Sequence, residues 1–137
     1  MTRAVASFDV TGWEPSEPET TEGGFTRSEA SVRKRFDGDL VAESDARVVM
    51  LQVDVDDLSA GASYVASEVV TGALAGRRGT FAMFHWGLSG GGGRKTGGNI
   101  VPGSGTDELE GLEGSVEISV DGDGGHTLTI DYELPDE

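Results

Sequence analysis

The sequence predicts an all-β fold, a small closed eight-stranded antiparallel β-barrel with one short helical turn. Two observations support this prediction. Apolar and polar residues alternate with a period of two along most of the 137 residues, and 22 glycines divide the chain into pieces of strand length. Closing eight strands into a barrel removes the exposed edges that so many strands would otherwise leave. The length suits one domain, residues 1–137.

The first six strands follow one another between short turns. They are predicted at residues 4–10, 30–36, 40–53, 63–74, 79–87 and 96–101. In the first, Ala4, Ala6 and Phe8 share one phase, and an Asp-Gly-Asp turn separates the second from the third. The charged, proline-containing segment 14–24 is predicted to be a loop between strands, because proline and glycine interrupt it.

The last two strands show the clearest alternation. Residues 112–120 and 126–134 each place apolar side chains on one face, and the turn between them is rich in glycine and aspartate. The single helical turn is predicted after Thr106, whose hydroxyl would cap it, with Asp107 and Glu108 at its positive end.

Charge and composition limit the partners. The formal charge of −15 repels phosphate backbones and anionic lipid surfaces, so we expect neither nucleic acid nor membrane as a partner. The chain contains no cysteine, and no segment resembles a membrane span or a signal peptide, which predicts a cytoplasmic protein. The only lysines are Lys34 and Lys95, so the acidic surface indicates either a host with high internal salt or an ordinary acidic protein.

Motifs that bind phosphate or metal are absent. Residues 90–96 resemble a phosphate loop, but Arg94 replaces the required glycine and no helix follows. Residues 87–91 match the nucleophile-elbow pattern without the strand, turn and helix that the elbow needs. The acidic turns lack the spacing of a calcium loop, and two histidines do not predict a metal site. We therefore expect no metal and no cofactor.

Three polar residues fall in, or next to, apolar strand phases, namely Lys34, Glu68 and His85. For His85 either face of its strand could be the inner one, because Phe84 and Trp86 oppose Phe81 and Met83. Burial of any of them alone would be costly, so they should pair, shift their pKa values or line a wet cavity. One interpretation is structural, with an internal ion pair between Lys34 and Glu68 and with His85 bonded to the backbone. The other is functional, with Glu68 and His85 as an acid–base pair or polar anchors and with Tyr64 and Tyr132 as further donors.

Three stretches carry a family resemblance: FDGDL at 36–40, EVVTGALAGRRGTFAMFHWG at 68–87 and VPGSGTDELEGLEG at 101–114. Together with FDVTGW at 8–13 and TIDYEL at 129–134, they resemble the family called domain of unknown function 3224. The resemblance implies a small barrel similar to that of allene oxide cyclase, of calycin-like form. The segment 101–114 also looks like the glycine-threonine loop of dirigent proteins. The family implies a fold without naming a reaction.

Two segments depart from the family pattern. Asp107 stands where glycine is expected, and Gly97 and Gly98 stand where the sixth strand is usually more β-favouring. Glycine at those two positions would leave either a gap or room for a ligand.

Three functions from different classes remain open. The first is binding of a small, largely apolar ligand inside the barrel. Its expected contacts are Lys34, Tyr64, Phe81, Met83 and Tyr132, with further apolar lining from Phe8, Phe36, Met50, Ile118 and Ile130. The second is a cofactor-free cyclase or isomerase resembling allene oxide cyclase, with Glu68 and His85 as the catalytic residues. The third is a structural role, in which outward-facing Phe84 and Trp86 form a homo-oligomer.

Overall fold

Nine β-strands and one short helical turn make up the part of the chain that the structure, a computed structural model, describes, residues 1–57 and 59–135. The strands are Thr2–Pro15 (β1), Glu19–Thr20 (β2), Thr26–Gly38 (β3), Leu40–Gln52 (β4), Ala62–Leu74 (β5), Arg77–Gly90 (β6), Gly93–Ile100 (β7), Glu113–Val120 (β8) and His126–Glu133 (β9). The helical turn is a 3-10 turn at Asp107–Leu109. No helix among the described residues is long and apolar enough to cross a membrane.

Eight of these strands close into an antiparallel barrel, as the sequence predicts. Neighbours in the chain pair with one another from β3 to β9, and β1 closes the ring by pairing with both β9 and β3. The ninth strand, β2, lies outside the ring and pairs only with the start of β3. The prediction of a loop at 14–24 is therefore wrong in two places. Glu14 and Pro15 belong to β1, and Glu19 and Thr20 form β2, where an exposed ion pair between Glu19 and Arg27 accompanies the short pairing.

The two ends of the barrel differ. At one end, which we call the turn end, β3 leads into β4 and β5 into β6 through tight turns, and the 3-10 turn lies there as well. At the other end, which we call the mouth, β4 leads into β5, β6 into β7 and β8 into β9. The mouth is the wetter end, because inner positions there, such as Met50, Tyr64 and Ile118, are only half-buried.

Side chains fill the half of the barrel nearer the turn end. Alternation places one face of every strand inside, and the largest of these side chains are almost completely buried. They include Phe36, Phe81, Met83, Leu128 and Ile130, each at most 1% exposed. A second, smaller cluster of Ala30, Val32 and Ala46 lies toward the mouth, with Val48 and Met50 packed against it. The interior thus has a packed core toward the turn end and a shallower apolar surface toward the mouth.

The 3-10 turn closes the turn end by burying Leu109. Its predicted capping by the Thr106 hydroxyl is wrong, because that hydroxyl instead accepts a hydrogen bond from the backbone N–H of Thr80, at 3.0 Å. Thr106 therefore ties the turn to β6. Asp107 has a φ of 54°, a left-handed conformation that glycine adopts freely and aspartate tolerates, which explains why the family pattern has glycine there.

Neighbouring side chains occupy the space that a side chain would take at Gly97 and Gly98 of β7, although a surface depression of about 350 Å³ lies beside both residues. A Cβ atom added at Gly97 would lie 2.8 Å from Cζ2 of Trp86, which covers this position on the outer face. A Cβ atom added at Gly98 would lie 2.7 Å from Cβ of His85 and 2.8 Å from Cγ2 of Val116 on the inner face. The side chains of β6 and β8 therefore occupy the space, and Phe84 and Trp86 both point outward, with Phe84 47% exposed.

This packing predicts that Gly98→Ala destabilises the barrel. The added methyl group would lie 2.5 Å from the backbone oxygen of Phe84 as well as against His85 and Val116, so backbone and side chains must shift, which costs about 1–3 kcal/mol for an overpacked core. Gly93→Ala on the same strand is the matched control, because nothing lies within 4 Å of its added Cβ atom. Urea unfolding should show a lower free energy of unfolding for Gly98→Ala, whereas Gly93→Ala should change that free energy by no more than about 0.5 kcal/mol. Equal effects of the two substitutions would contradict the packing described.

Candidate functional site

A layer of polar side chains crosses the interior between the packed core and the mouth. Lys34 of β3, Ser44 of β4, Glu68 of β5 and His85 of β6 all occupy inner, buried positions. The registers bring them to one level, because Lys34 is opposite Ser44, and the residue that pairs with Glu68 is two positions along β4 from Ser44. Four neighbouring strands therefore contribute one residue each.

The carboxylate of Glu68 is the centre of this layer. Its side chain is fully buried, and its Oε1 atom lies 3.0 Å from Nζ of Lys34 and 2.8 Å from Nε2 of His85. The Ser44 hydroxyl donates a hydrogen bond to Oε2. Both carboxylate oxygens are thus satisfied, and no buried side-chain nitrogen or oxygen among the described residues lacks a partner.

These contacts keep Glu68 ionised. Burial alone raises the pKa of a carboxyl group, but the hydrogen bond from His85, the charge of Lys34 and the hydroxyl of Ser44 all lower it. Together the lowering contacts outweigh burial and bring the pKa of Glu68 from its ordinary value of 4.5 to about 2. Glu68 is therefore an anion at any physiological pH.

Tyr64 extends the layer toward solvent. Its hydroxyl lies 3.1 Å from Nδ1 of His85, and the two rings meet edge to face with centroids 5.6 Å apart. Gly87 allows this position, because a Cβ atom there would lie 3.0 Å from Cδ1 of Tyr64. Burial raises the pKa of Tyr64; the charge of Arg94 lowers it and that of Glu68 raises it further. Tyr64 is half-buried, so its side chain links the buried layer to the mouth.

The chain from Tyr64 through His85 to Glu68 can carry a proton in either direction. With neutral His85, Nε2–H donates to Glu68 and Nδ1 accepts from the Tyr64 hydroxyl. With protonated His85, both ring nitrogens donate, and the Tyr64 hydroxyl is free to donate to a molecule in the mouth.

Aromatic rings complete the layer on the opposite wall. Nζ of Lys34 lies 4.7 Å from the centroid of the Phe8 ring, a cation–π contact, and the Phe8 ring stacks on His126 with centroids 5.0 Å apart. We call the resulting row the interior floor. It consists of His126, Phe8, Lys34, Ser44, Glu68, His85 and Tyr64.

The structure brings together four of the seven residues predicted for the site, Lys34, Tyr64, Glu68 and His85. The predicted ion pair between Lys34 and Glu68 is confirmed, whereas the backbone partner predicted for His85 is wrong, since both ring nitrogens contact side chains.

The other three predicted ligand contacts lie in the packed core. Phe81, Met83 and Tyr132 are at most 2% exposed. Four surface depressions, of about 350 to 750 Å³, follow the outer wall and the rim, and none of them is lined by these three residues.

Sequence reasoning missed Ser44 and His126. Ser44 shares the strand phase of Ala42 and Ala46, which is the signal that could have identified it. His126 lies in the apolar phase of β9, where its position opposite Phe8 gives the contact. The floor does not suit a metal, because it contains an ammonium group, and no group of three or more potential ligands occurs among the described residues.

A family model and a solved structure identify the same family for this chain. A family model described as "Protein of unknown function (DUF3224)" matches residues 4–132. The chain is similar to the crystal structure of a DUF3224 protein of unknown function from Shewanella oneidensis MR-1. The two are 31% identical over 98% of each chain, with a TM-score of 0.85. No curated protein matches the chain.

The lowered pKa of Glu68 predicts an acid-sensitive fold. A carboxyl group whose pKa is lower in the folded than in the unfolded chain stabilises the fold fully above its unfolded pKa, near 4.5. That stabilisation, about 3 kcal/mol, is lost as the pH falls toward 2. We expect the free energy of unfolding of the wild type to exceed that of Glu68→Gln at pH 7 and the difference to shrink between pH 5 and pH 2.

This measurement needs a control variant and a substitute for Glu68→Gln. Glu43→Gln removes an exposed carboxylate that lies 3.3 Å from Arg35, so it should follow the wild type at every pH within about 1 kcal/mol. Glu68→Gln leaves the ammonium group of Lys34 buried and unpaired. If this single variant does not fold, the double variant Lys34→Met with Glu68→Gln, which also removes the ammonium group, takes its place in the comparison. A difference that stays constant from pH 7 to pH 2 would show that Glu68 is not ionised in the folded chain.

Proposed function

The chain belongs to the DUF3224 family, whose members are described as proteins of unknown function, and we propose that it binds a small, largely apolar molecule at the mouth of its barrel. The observation that supports this proposal is the half-buried Tyr64 hydroxyl, held by His85 and Glu68 beside an apolar surface. An apolar site with a few positioned polar groups is typical of small-molecule binding.

The ligand would lie above the interior floor and not within the core. Val48, Met50 and Ile118 are half-buried inner residues at the mouth, and a ligand covering them would remove apolar surface from water. Tyr64 would orient the ligand, because its oxygen can accept a hydrogen bond and its proton can be donated when His85 is protonated. Phe81, Met83 and Tyr132 would support the floor from below without direct contact.

Binding can be tested with N-phenyl-1-naphthylamine, a neutral apolar probe whose fluorescence rises in an apolar site. We expect saturable binding to the wild type and a several-fold weaker affinity for Met50→Gln, because the substitution removes about 1.5 kcal/mol of apolar contact from the mouth. Binding should also shift the imidazole NMR signals of His85 through the Tyr64 hydroxyl, and Tyr64→Phe should abolish that shift.

Val41→Ser is the control for this titration, because Val41 is 57% exposed on the outer wall. The control should bind the probe as the wild type does. Absence of saturable binding, or an equal loss in Met50→Gln and Val41→Ser, would contradict a site at the mouth.

A second candidate function is cofactor-free proton transfer, as in an isomerase. The hydrogen-bond chain from Tyr64 to Glu68 supports it, because a proton taken from a bound molecule by the Tyr64 oxygen can be matched by transfer of the hydroxyl proton to His85. The resulting imidazolium would be paired with Glu68, whose negative charge is held in a water-poor interior.

The probe for this function is 5-nitrobenzisoxazole, a small apolar molecule whose ring opens when a base removes its carbon-bound proton. We expect ring opening above the buffer rate, reduced about a hundredfold in His85→Gln and in Tyr64→Phe and unchanged in Val41→Ser. A wild-type rate equal to that of buffer would count against proton transfer at the mouth while leaving binding of the naphthylamine probe as a separate result.

A further inference from the structure

The wall of the barrel is incomplete between β7 and β8. These two strands share a single ladder pair, Asn99 with Ser115, whereas β8 and β9 share eight. Side chains help to bridge the two strands instead: the Thr96 hydroxyl donates to the carbonyl of Ile118 at 3.4 Å, and the Asn99 amide donates to the carbonyl of Gly114 at 3.3 Å. Toward the mouth the strands separate and leave a depression of about 500 Å³, within the range of small-molecule sites.

We call this depression the rim cleft. Its lining combines an aromatic ring, aliphatic side chains, hydroxyl groups, two cations and one carboxylate. The lining residues are Trp86, Arg94, Lys95, Thr96, Glu117, Ile118, Ser119 and Val120. Apolar and cationic groups therefore meet in one place.

The strand registers place the rim cleft next to the Tyr64 ring. Thr96 lies opposite Gly87, and Gly87 lies opposite Tyr64, so one row of inner positions crosses from the cleft to the Tyr64 ring. Arg94 lies opposite Ser89, one row nearer the rim on the same face. The Arg94 charge also acts on Tyr64, whose pKa it lowers. A molecule in the rim cleft can therefore reach Tyr64.

The two cations give the rim cleft a local charge opposite to that of the whole protein. Arg94 and Lys95 form no ion pair with any residue that the structure describes, and Glu117 is the one carboxylate in the lining. The chain as a whole carries −15, but at physiological salt a charge is screened beyond about 8 Å. Within the cleft, the two cations outnumber the one carboxylate, so the lining carries a net positive charge.

We propose that the molecule bound at the mouth carries an anionic group, such as a carboxylate or sulfonate, which binds Arg94 in the rim cleft. This inference rests on the proposed function and adds the chemical class of the ligand. The apolar body would lie against Ile118 and extend toward Tyr64 on the inner face, and the anionic group would accept hydrogen bonds from the guanidinium of Arg94. Lys95 would add charge without fixed geometry.

Two probes with the same aromatic body test this assignment. One is 8-anilinonaphthalene-1-sulfonate, which is an anion, and the other is the neutral N-phenyl-1-naphthylamine. We expect Arg94→Gln to weaken binding of the sulfonate about tenfold and binding of the neutral probe less than twofold, because only the sulfonate loses a charge-assisted hydrogen bond. Arg94→Lys should give an intermediate affinity, since it keeps the charge and loses the paired donors.

Arg33→Gln is the matched control, because it removes the same charge from an exposed position on β3 that does not line the rim cleft. It should change the affinities of both probes by less than twofold. Equal weakening of both probes by Arg94→Gln, or equal weakening of the sulfonate by Arg94→Gln and Arg33→Gln, would overturn the assignment of Arg94. If neither probe binds the wild type, the proposed function itself fails, whereas neutral-probe binding with no effect of Arg94→Gln overturns only the anionic class.

Discussion

The arrangement of the barrel interior depends on keeping one buried carboxylate charged. Glu68 is completely buried, and a carboxylate in that position is tolerated only when its oxygens receive strong donors. Lys34, Ser44 and His85 supply them from three different strands, so the registers of β3, β4, β5 and β6 must all be correct at once. A shift of any of these strands by one residue would send its donor to the outer face. The ion pair thus helps to specify the barrel as well as stabilising it.

The carboxylate of Glu68 lies between two regions of the interior that differ in packing, one toward the turn end and one toward the mouth. Below it, large apolar side chains fill the barrel to the turn end, and this region leaves no place for the ligand that the sequence suggested between Phe81, Met83 and Tyr132. Above it, Ala30, Ala46 and Ala66 present small side chains, and the surrounding inner positions become wetter toward the mouth. The upper region, where Tyr64 ends the hydrogen-bond chain, is therefore the more accessible part of the interior.

The alternation of apolar and polar residues along the sequence predicts much of the fold. It does not predict much of the site. Alternation alone predicts eight strands and places Lys34 and Glu68 in apolar phases, because the period of two is independent of the partner strand. It leaves the inner face of β6 open, because Phe84 and Trp86 oppose Phe81 and Met83, so only the structure assigns His85 to the interior. The contact of Tyr64 with His85 depends on the register of β5 with β6 and on the space left by Gly87, which no local pattern encodes. Serine occurs on both faces of strands, so Ser44 gives no signal by itself. The rim cleft arises from the sparse pairing of β7 with β8, a property of two strands that a single-strand pattern does not contain.

Stability alone is a weak reason for a polar floor in a small barrel. Apolar residues of similar volume in place of a buried ion pair are often neutral or stabilising, since they avoid the cost of removing charges from water. The floor also continues beyond what a structural ion pair needs, because His85 uses its second nitrogen to contact Tyr64, and Tyr64 is half-buried at the mouth. A network built only to satisfy Glu68 would end at His85. Its extension to a group that solvent can reach favours a role in recognising or altering a bound molecule. The neighbouring cleft supports the same role, because its two cations form no ion pair with any described residue.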